Sequence, residues 1–388
     1  GSDPEVYLTA ARNLHLGRGY TFNGTHLRHY PPGWPLVLAA TMAITRGFWA
    51  LKALASLLLV GAALLYFSVL SRLVPPRRAF WAVLASFGLW WTFRLTYLLY
   101  SESLFLLVFA ATLWLAWRVR EGRARAPGVV MLLACAAALP VIRWASVAVL
   151  PVTAGLAVSG SGGPRWNAKW LCAGGVLLVG AAVFFGLYFG MPSGSIQPPK
   201  PDAAATVAGD SAGGGFSFWN KDLGEIAVNV LRAGEWPLHL IWAPSRGALS
   251  VRVLMPFLRA LGWALWVFVG LYALARIRAG EWHWLAIFAY CGFLVLRWWA
   301  PRARYLLPVA PFLLLALTEG LRLVSSKITE RWQRCPAAVS CIPALLLASI
   351  VACNLAMYGV AVRVFRSRDF YAEFNAGECR DLVATAHY

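Results

Sequence analysis

The sequence predicts an all-α polytopic membrane protein. Apolar residues make up 60% of the 388 residues and charged residues only 13%, which leaves too little polar surface for a soluble protein of this length. About ten apolar runs approach the roughly 20 residues that cross a hydrocarbon core as a helix. Lys and Arg lie mostly in short hinges between these runs. We therefore expect a bundle of transmembrane helices joined by short hinges.

Residues 1–47 form a polar segment that precedes the first apolar run. Within it, Tyr7, Ala10, Ala11 and Leu14 recur at helical spacing and predict a helix that starts near Asp3. An Asn-Gly-Thr sequence at residues 23–25 predicts a turn. Residues 34–46 are apolar but too short to span, and Pro35 suits a first helical turn. We predict that this second helix lies along the outer membrane surface.

The apolar runs give the rest of the architecture. Residues 48–190 are predicted to hold the N-terminal transmembrane helices and residues 253–362 the C-terminal ones, separated by a loop at 191–252 with an amphipathic helix near 223–232. Residues 363–388 are read as a solvated tail. The predicted spans are 48–71, 79–99, 103–119, 127–141, 145–159, 170–190, 253–275, 282–299, 305–323 and 335–362.

The positions of the basic hinges predict the orientation. If Arg72, Arg77 and Arg78 lie in the cytoplasm, the later basic hinges at 118–125, 165–169, 276–278 and 322–334 all fall on the same side, as the positive-inside rule requires. Residues 1–47, the loop at 191–252 and the tail then lie outside. We expect a plasma (inner) membrane protein whose site faces away from the cytoplasm, and a further transmembrane helix before Gly1, because the chain begins outside.

The formal charge of +19 does not indicate a nucleic-acid partner, because the basic residues are spread over hinges and form no aromatic-interleaved patch. The histidines show no metal-ligand spacing. A Gly-rich phosphate loop at a helix start is also missing from the sequence, so nucleotide-sugar or ATP use has no support.

Four groups of polar residues fall on the predicted outer face. The first is the outer segment that holds Asp3, the helix that carries Tyr7, and the turn from Arg28 and His29 through Tyr30 to Pro35. The others are Glu102 with its neighbours at 97–105, Arg143 between two middle helices, and the turn that contains Arg302, Arg304 and Tyr305. Taken singly, Asp3 fits a helix cap, Glu102 a polar helix start, and the Arg-Tyr turn an interfacial anchor.

In this order, the four groups resemble the outer-face motifs of lipid-dependent glycosyltransferases of the GT-C class. In particular, they resemble the bacterial relatives of protein O-mannosyltransferases and of the aminoarabinose transferase. The resemblance covers residues 1 to about 325. It implies a GT-C-like bundle of about ten or eleven transmembrane helices with surface helices in the first outer loop.

The resemblance also implies a reaction and roles for single residues. A sugar would pass from a polyprenyl phosphate to an extracytoplasmic hydroxyl, with inversion and with Asp3 as general base. Glu102 would be a second acid that orients the acceptor or holds a cation. Phosphate would be bound by Arg302, Arg304, Arg143, Arg28 and His29, because arginine forks pair well with phosphate oxygens. Tyr7, Tyr30 and Tyr305 would line the substrate cavity.

The chain departs from the family pattern at two places. Many relatives carry a lysine before the Pro-Pro turn, where this chain has His29 and Tyr30. Pro4 separates Asp3 from Glu5, so the adjacent acid pair that would hold a metal is missing. The sequence therefore assigns no cofactor, and a divalent cation is the one candidate. The predicted partners are the lipid-linked sugar donor, the membrane, and a lipid, glycan or protein acceptor.

Three other interpretations fit the same composition. A transporter or lipid flippase would also use several helices and intramembrane arginines, and would place its polar residues near the bilayer midplane. A noncatalytic membrane scaffold would tolerate replacement of Asp3. A degenerate GT-C protein would keep the fold without the activity.

Overall fold

The computed structural model is mostly helical, as the composition predicts. It describes residues 3–27, 30–45, 47–88, 92, 95, 98–159, 166–190, 228–231, 233, 249–297, 303–332, 341–346 and 348–352. Within these ranges, four helical segments are long and apolar enough to cross a membrane: Phe48–Leu70, Glu102–Arg120, Asn167–Leu187 and Arg259–Arg278. Several shorter apolar helices accompany them. The architecture is that of an all-α, multi-pass membrane protein.

The N-terminal segment folds as two helices with a small hairpin between them. The elements are α1 (Asp3–His15), β1 (Thr21–Phe22), β2 (Thr25–His26) and α2 (Gly33–Ile44). Asn23 and Gly24 form the turn between the antiparallel strands, both with positive φ, 49° and 77°. That pair of angles is typical of a type I′ turn, for which Asn-Gly is a preferred sequence. The predicted turn is confirmed, and the strands that flank it were not predicted.

The remaining helices follow in chain order. They are α3 (Phe48–Leu70), α4 (Pro76–Phe87), α5 (Glu102–Arg120), α6 (Ala126–Ile142), α7 (Leu150–Val158), α8 (Trp166–Gly190), α9 (Leu249–Arg278), α10 (His283–Arg297) and α11 (Ala310–Trp332). Two 3₁₀ turns, Trp144–Val149 and Ala303–Leu306, precede α7 and α11. Residues 228–231 and 233 are helical, within or beside the predicted amphipathic helix, and so are 342–346 and 348–352.

Three predicted spans differ from the structure. The one at 145–159 consists of the 3₁₀ turn Trp144–Val149 followed by the nine-residue helix α7. The run at 79–99 is not one helix, because α4 ends at Phe87 and the Gly88 amide closes that end by donating to the Leu84 carbonyl at 2.7 Å. Leu99 then takes a left-handed φ of 55°, which forms a turn before α5. The span predicted at 305–323 instead begins at Ala310 and runs through the expected hinge to Trp332. An ion pair between Glu319 and Arg322 at i, i+3 lies within this helix.

Ion pairs join three of the predicted inner hinges at one end of the bundle. Arg72, after α3, pairs at 2.9 Å with Glu121, which follows α5. Arg120 pairs at 3.7 Å with Glu281, between α9 and α10. Because α5 has 19 residues, its first residue lies about 28 Å from this end. Glu102 therefore marks the opposite end of the bundle.

Candidate functional site

Helix α1 and the turn before α2 bring Asp3 and two tyrosines together. The Tyr30 hydroxyl donates to the Asp3 carboxylate Oδ1 at 3.3 Å. The rings of Tyr7 and Tyr30 meet edge to face, with centroids 5.4 Å apart and an interplanar angle of 89°. Asp3 and Tyr7 are four residues apart and share a helix face. The predicted base and two predicted cavity residues therefore form one contact group.

Tyr7 connects this group to the start of α5. Its hydroxyl lies 3.3 Å from the Ser101 Oγ, and both side chains are buried. Burial raises the pKa of Tyr7 above its usual value, while the nearby Arg143 acts in the opposite direction. Tyr7 thus stays a neutral hydroxyl that can donate and accept hydrogen bonds. Ser101 directly precedes Glu102, so α1 packs beside the second predicted acid.

Glu102 and Arg143 form a buried ion pair. Arg143 Nη1 lies 2.5 Å from Glu102 Oε1, and the two side chains are 13% and 3% exposed. Glu102 is the first residue of α5, where the helix dipole favours a negative charge. The same guanidinium lies over the ring of Tyr305, 4.9 Å from its centroid. Arg143, predicted to bind phosphate, is therefore held between Glu102 and Tyr305.

Close backbone packing positions these groups. A side chain at Gly33 would meet the Val141 carbonyl at 2.8 Å and the Ile142 Cα at 3.1 Å, so only glycine allows α2 to approach the end of α6 this closely. The Trp34 indole donates to the Leu99 carbonyl at 2.7 Å. The turn that carries Tyr30 is thereby fixed against both the end of α6, next to Arg143, and the start of α5.

The turn that contains Tyr305 is held by two further tyrosines. Tyr290 of α10 donates to the Tyr305 carbonyl at 2.5 Å, and Tyr66 of α3 donates to the Pro308 carbonyl at 2.7 Å. The backbone of Arg304 belongs to the 3₁₀ turn Ala303–Leu306. The predicted phosphate contacts Arg28, His29 and Arg302 lie outside the described residues.

Sequence reasoning missed three residues of this arrangement. Ser101 lies within a motif segment but was not predicted as a site residue, although its position beside the acid Glu102 on the outer face could have indicated a polar contact. Tyr66 and Tyr290 lie in apolar runs, where a tyrosine is equally typical of a membrane interface. Only the packing of distant helices shows that their hydroxyls meet the turn at 303–309.

The described side chains do not fit a bound cation at Glu102. A metal ion there would have to displace Arg143 from the carboxylate. Within the part of the chain that the structure describes, no group of three His, Cys, Asp or Glu residues could hold a metal ion.

Comparison with known proteins gives no family for this chain. No family model, no curated protein and no solved structure matches it.

Proposed function

We propose that this chain is a membrane glycosyltransferase of the GT-C type, which moves a sugar from a polyprenyl phosphate to an extracytoplasmic hydroxyl. The observation that carries the proposal is the convergence of four distant segments. Contacts link Asp3 to Tyr30, Tyr30 to Tyr7, and Tyr7 to Ser101, the residue before Glu102. Glu102 pairs with Arg143, which lies over Tyr305. These segments occur in the order of the resembling family's motifs.

In the proposed reaction, Asp3 is the general base. Its carboxylate takes the proton of the acceptor hydroxyl while that oxygen attacks the anomeric carbon. The bond between the anomeric carbon and the phosphate oxygen breaks, and the electron pair leaves with the polyprenyl phosphate. Attack from the opposite face inverts the anomeric configuration. Tyr30 supports this role because its hydroxyl donates to Asp3 and so orients the carboxylate.

Cations would stabilise the leaving phosphate. Charge develops on that group in the transition state, and positioned arginines lower the barrier by neutralising it. Arg302 and Arg304, in or beside the turn at 303–309, are our candidates for direct contact, together with Arg28 and His29. Arg143 is a further candidate, since its guanidinium lies over the ring of Tyr305 in the same turn. Glu102 would then hold Arg143 in place beside the acceptor.

The proposal extends to the whole architecture and to its partners. We infer a GT-C-like bundle of about ten or eleven spans in the plasma membrane, with the reaction on the extracytoplasmic side. The donor phosphate would sit at headgroup depth, with its chain in the bilayer. The acceptor would be a lipid, glycan or protein hydroxyl. The ion-paired hinges at the other end of the bundle support this polarity, because basic residues prefer the cytoplasmic side.

Sugar transfer by the purified full chain in lipid nanodiscs tests the proposal. A panel of radiolabelled polyprenyl-phosphate sugars would be supplied to the wild type, Asp3→Asn and Glu5→Gln. We expect Asp3→Asn to lower turnover by about 100-fold or more, the usual contribution of a general base. Glu5→Gln is the matched control, because it changes a second acid in the same helical turn. It should retain wild-type turnover.

Two results would count against the proposal. Full turnover in Asp3→Asn would remove Asp3 from the role of base. Absence of turnover with every donor, in a folded protein that carries polyprenyl phosphate across the bilayer, would favour a flippase. The buried Glu102 and Arg143 pair is the feature that such a transporter would also use.

A further inference from the structure

The turn at 303–309 is attached to the bundle at its backbone. Tyr290 donates to the carbonyl of Tyr305, and Tyr66 donates to the carbonyl of Pro308, at 2.5 and 2.7 Å. The two donors come from different helices, α10 and α3. Their side chains are buried, with whole-residue exposures of 3% and 0%. Two separate helices therefore fix both halves of one short turn.

A third attachment acts on the side chain of the same turn. The Arg143 guanidinium lies over the Tyr305 ring and pairs with Glu102. Apolar contacts surround the attachment at Pro308, since the Tyr66 ring packs against Phe109 and Phe312 at 6.4 and 6.3 Å. A hydroxyl in such surroundings needs its acceptor, because a buried polar group without a hydrogen bond is costly. The turn is thus held by two hydrogen bonds to its backbone and by one contact to a side chain, whereas an ordinary surface loop needs none of these.

Phosphate recognition by arginine depends on where the arginine backbone is held. A guanidinium fork binds two phosphate oxygens only when its backbone presents it at the correct distance and angle. Arg304 belongs to this turn. We propose that Tyr66 and Tyr290 are positioning residues, which fix the turn so that Arg304 meets the phosphate of the polyprenyl donor. This inference rests on the proposed function.

Lipid binding by the full chain in nanodiscs tests the inference. Affinity would be measured for polyprenyl phosphate and for the uncharged polyprenol of equal length, so that their ratio isolates phosphate recognition from binding of the apolar chain. The variants are Tyr66→Phe, Tyr290→Phe and Arg304→Ala. Tyr272→Phe is the matched control, because Tyr272 is also a buried tyrosine, near the charges of the opposite end. Melting temperature is recorded for each variant.

We expect each of Tyr66→Phe and Tyr290→Phe to reduce the preference for phosphate over alcohol by about three- to tenfold, the effect of one lost hydrogen bond. Arg304→Ala should reduce it at least as much, and Tyr272→Phe should leave it unchanged. Loss in Arg304→Ala but not in the two tyrosine variants would overturn the inference and leave the proposed function standing. A parallel loss of both lipids would assign the tyrosines to general packing. No preference in the wild type would overturn the proposed function and the inference together.

Discussion

The Tyr30 hydroxyl is a hydrogen-bond donor to the proposed base. Replacing Tyr30 by Phe removes this donor and keeps the ring that meets Tyr7. We expect kcat/KM for sugar transfer to fall by about three- to tenfold, because the Asp3 carboxylate loses an orienting hydrogen bond. Steady-state transfer kinetics measure this. An unchanged kcat/KM, or an equal loss in Tyr272→Phe, would contradict the role given to Tyr30.

The Glu102 and Arg143 pair makes a prediction about stability. Removing one partner leaves the other charge buried and uncompensated, which costs about 3–5 kcal/mol. We expect Glu102→Gln and Arg143→Gln each to lower the melting temperature of the purified protein in detergent. The double variant should lose less than the sum of the two single losses, because the two side chains act as a unit. Additive losses would show that the pair contributes little.

Single residues of the site could be predicted from the sequence only as chemical types at one membrane face. Asp3, Tyr7 and Tyr30 form a contact group largely because a local helix and a nearby turn carry them. The pairing of Glu102 with Arg143 depends instead on how α5 and α6 pack. A sequence pattern gives no information on which of several cations a given acid will meet.

At the scale of helices, the contact between α9 and α11 depends on one glycine. A methyl group at Gly320 would overlap the carbonyl of Phe268. We expect Gly320→Ala to force the helices apart and to destabilise the protein by about 1–3 kcal/mol, the usual cost of overpacking. Thermal unfolding in detergent measures the change. Gly270→Ala is the matched control, because a Cβ there meets nothing within 4 Å.

Equal melting temperatures for Gly320→Ala and Gly270→Ala would show that α9 and α11 do not approach each other this closely at Gly320. The control itself should be neutral or slightly stabilising, since alanine favours a helix more than glycine does.

Helix positions were predictable where an apolar run ends at a proline or a charged hinge. The predicted span 48–71 matches α3, and 103–119 matches α5 to within one residue at each end. The predicted helix ends were wrong where the polarity of a segment does not match its backbone structure. The apolar run at 79–99 contains the end of α4 and a turn at Leu99, whereas the charged stretch after Leu323 stays helical. Hydropathy reports the surroundings of a segment and does not report whether its backbone turns.

The whole molecule has a predicted orientation that labelling can test. Thr25 and Arg125 are both exposed and lie at opposite predicted faces. In a variant whose seven native cysteines are replaced by alanine, an impermeant maleimide should label Thr25→Cys in intact spheroplasts. Arg125→Cys should react only after permeabilisation, because the positive-inside rule predicts that the basic hinges lie in the cytoplasm. Labelling of both residues before permeabilisation would contradict the proposed topology.

The hydrogen bond between Tyr66 and Pro308 joins residues 242 positions apart. During synthesis, Tyr66 enters the bilayer long before its acceptor leaves the ribosome. The early helices therefore cannot complete their packing until the last part of the bundle is inserted, and the site between them assembles late. In a nascent chain that ends before Pro308, the Tyr66 hydroxyl would lie in the membrane without its hydrogen-bond acceptor. We expect the cell's membrane proteases to degrade such a chain. The hydrogen bond that holds the turn would then also distinguish complete chains from incomplete ones.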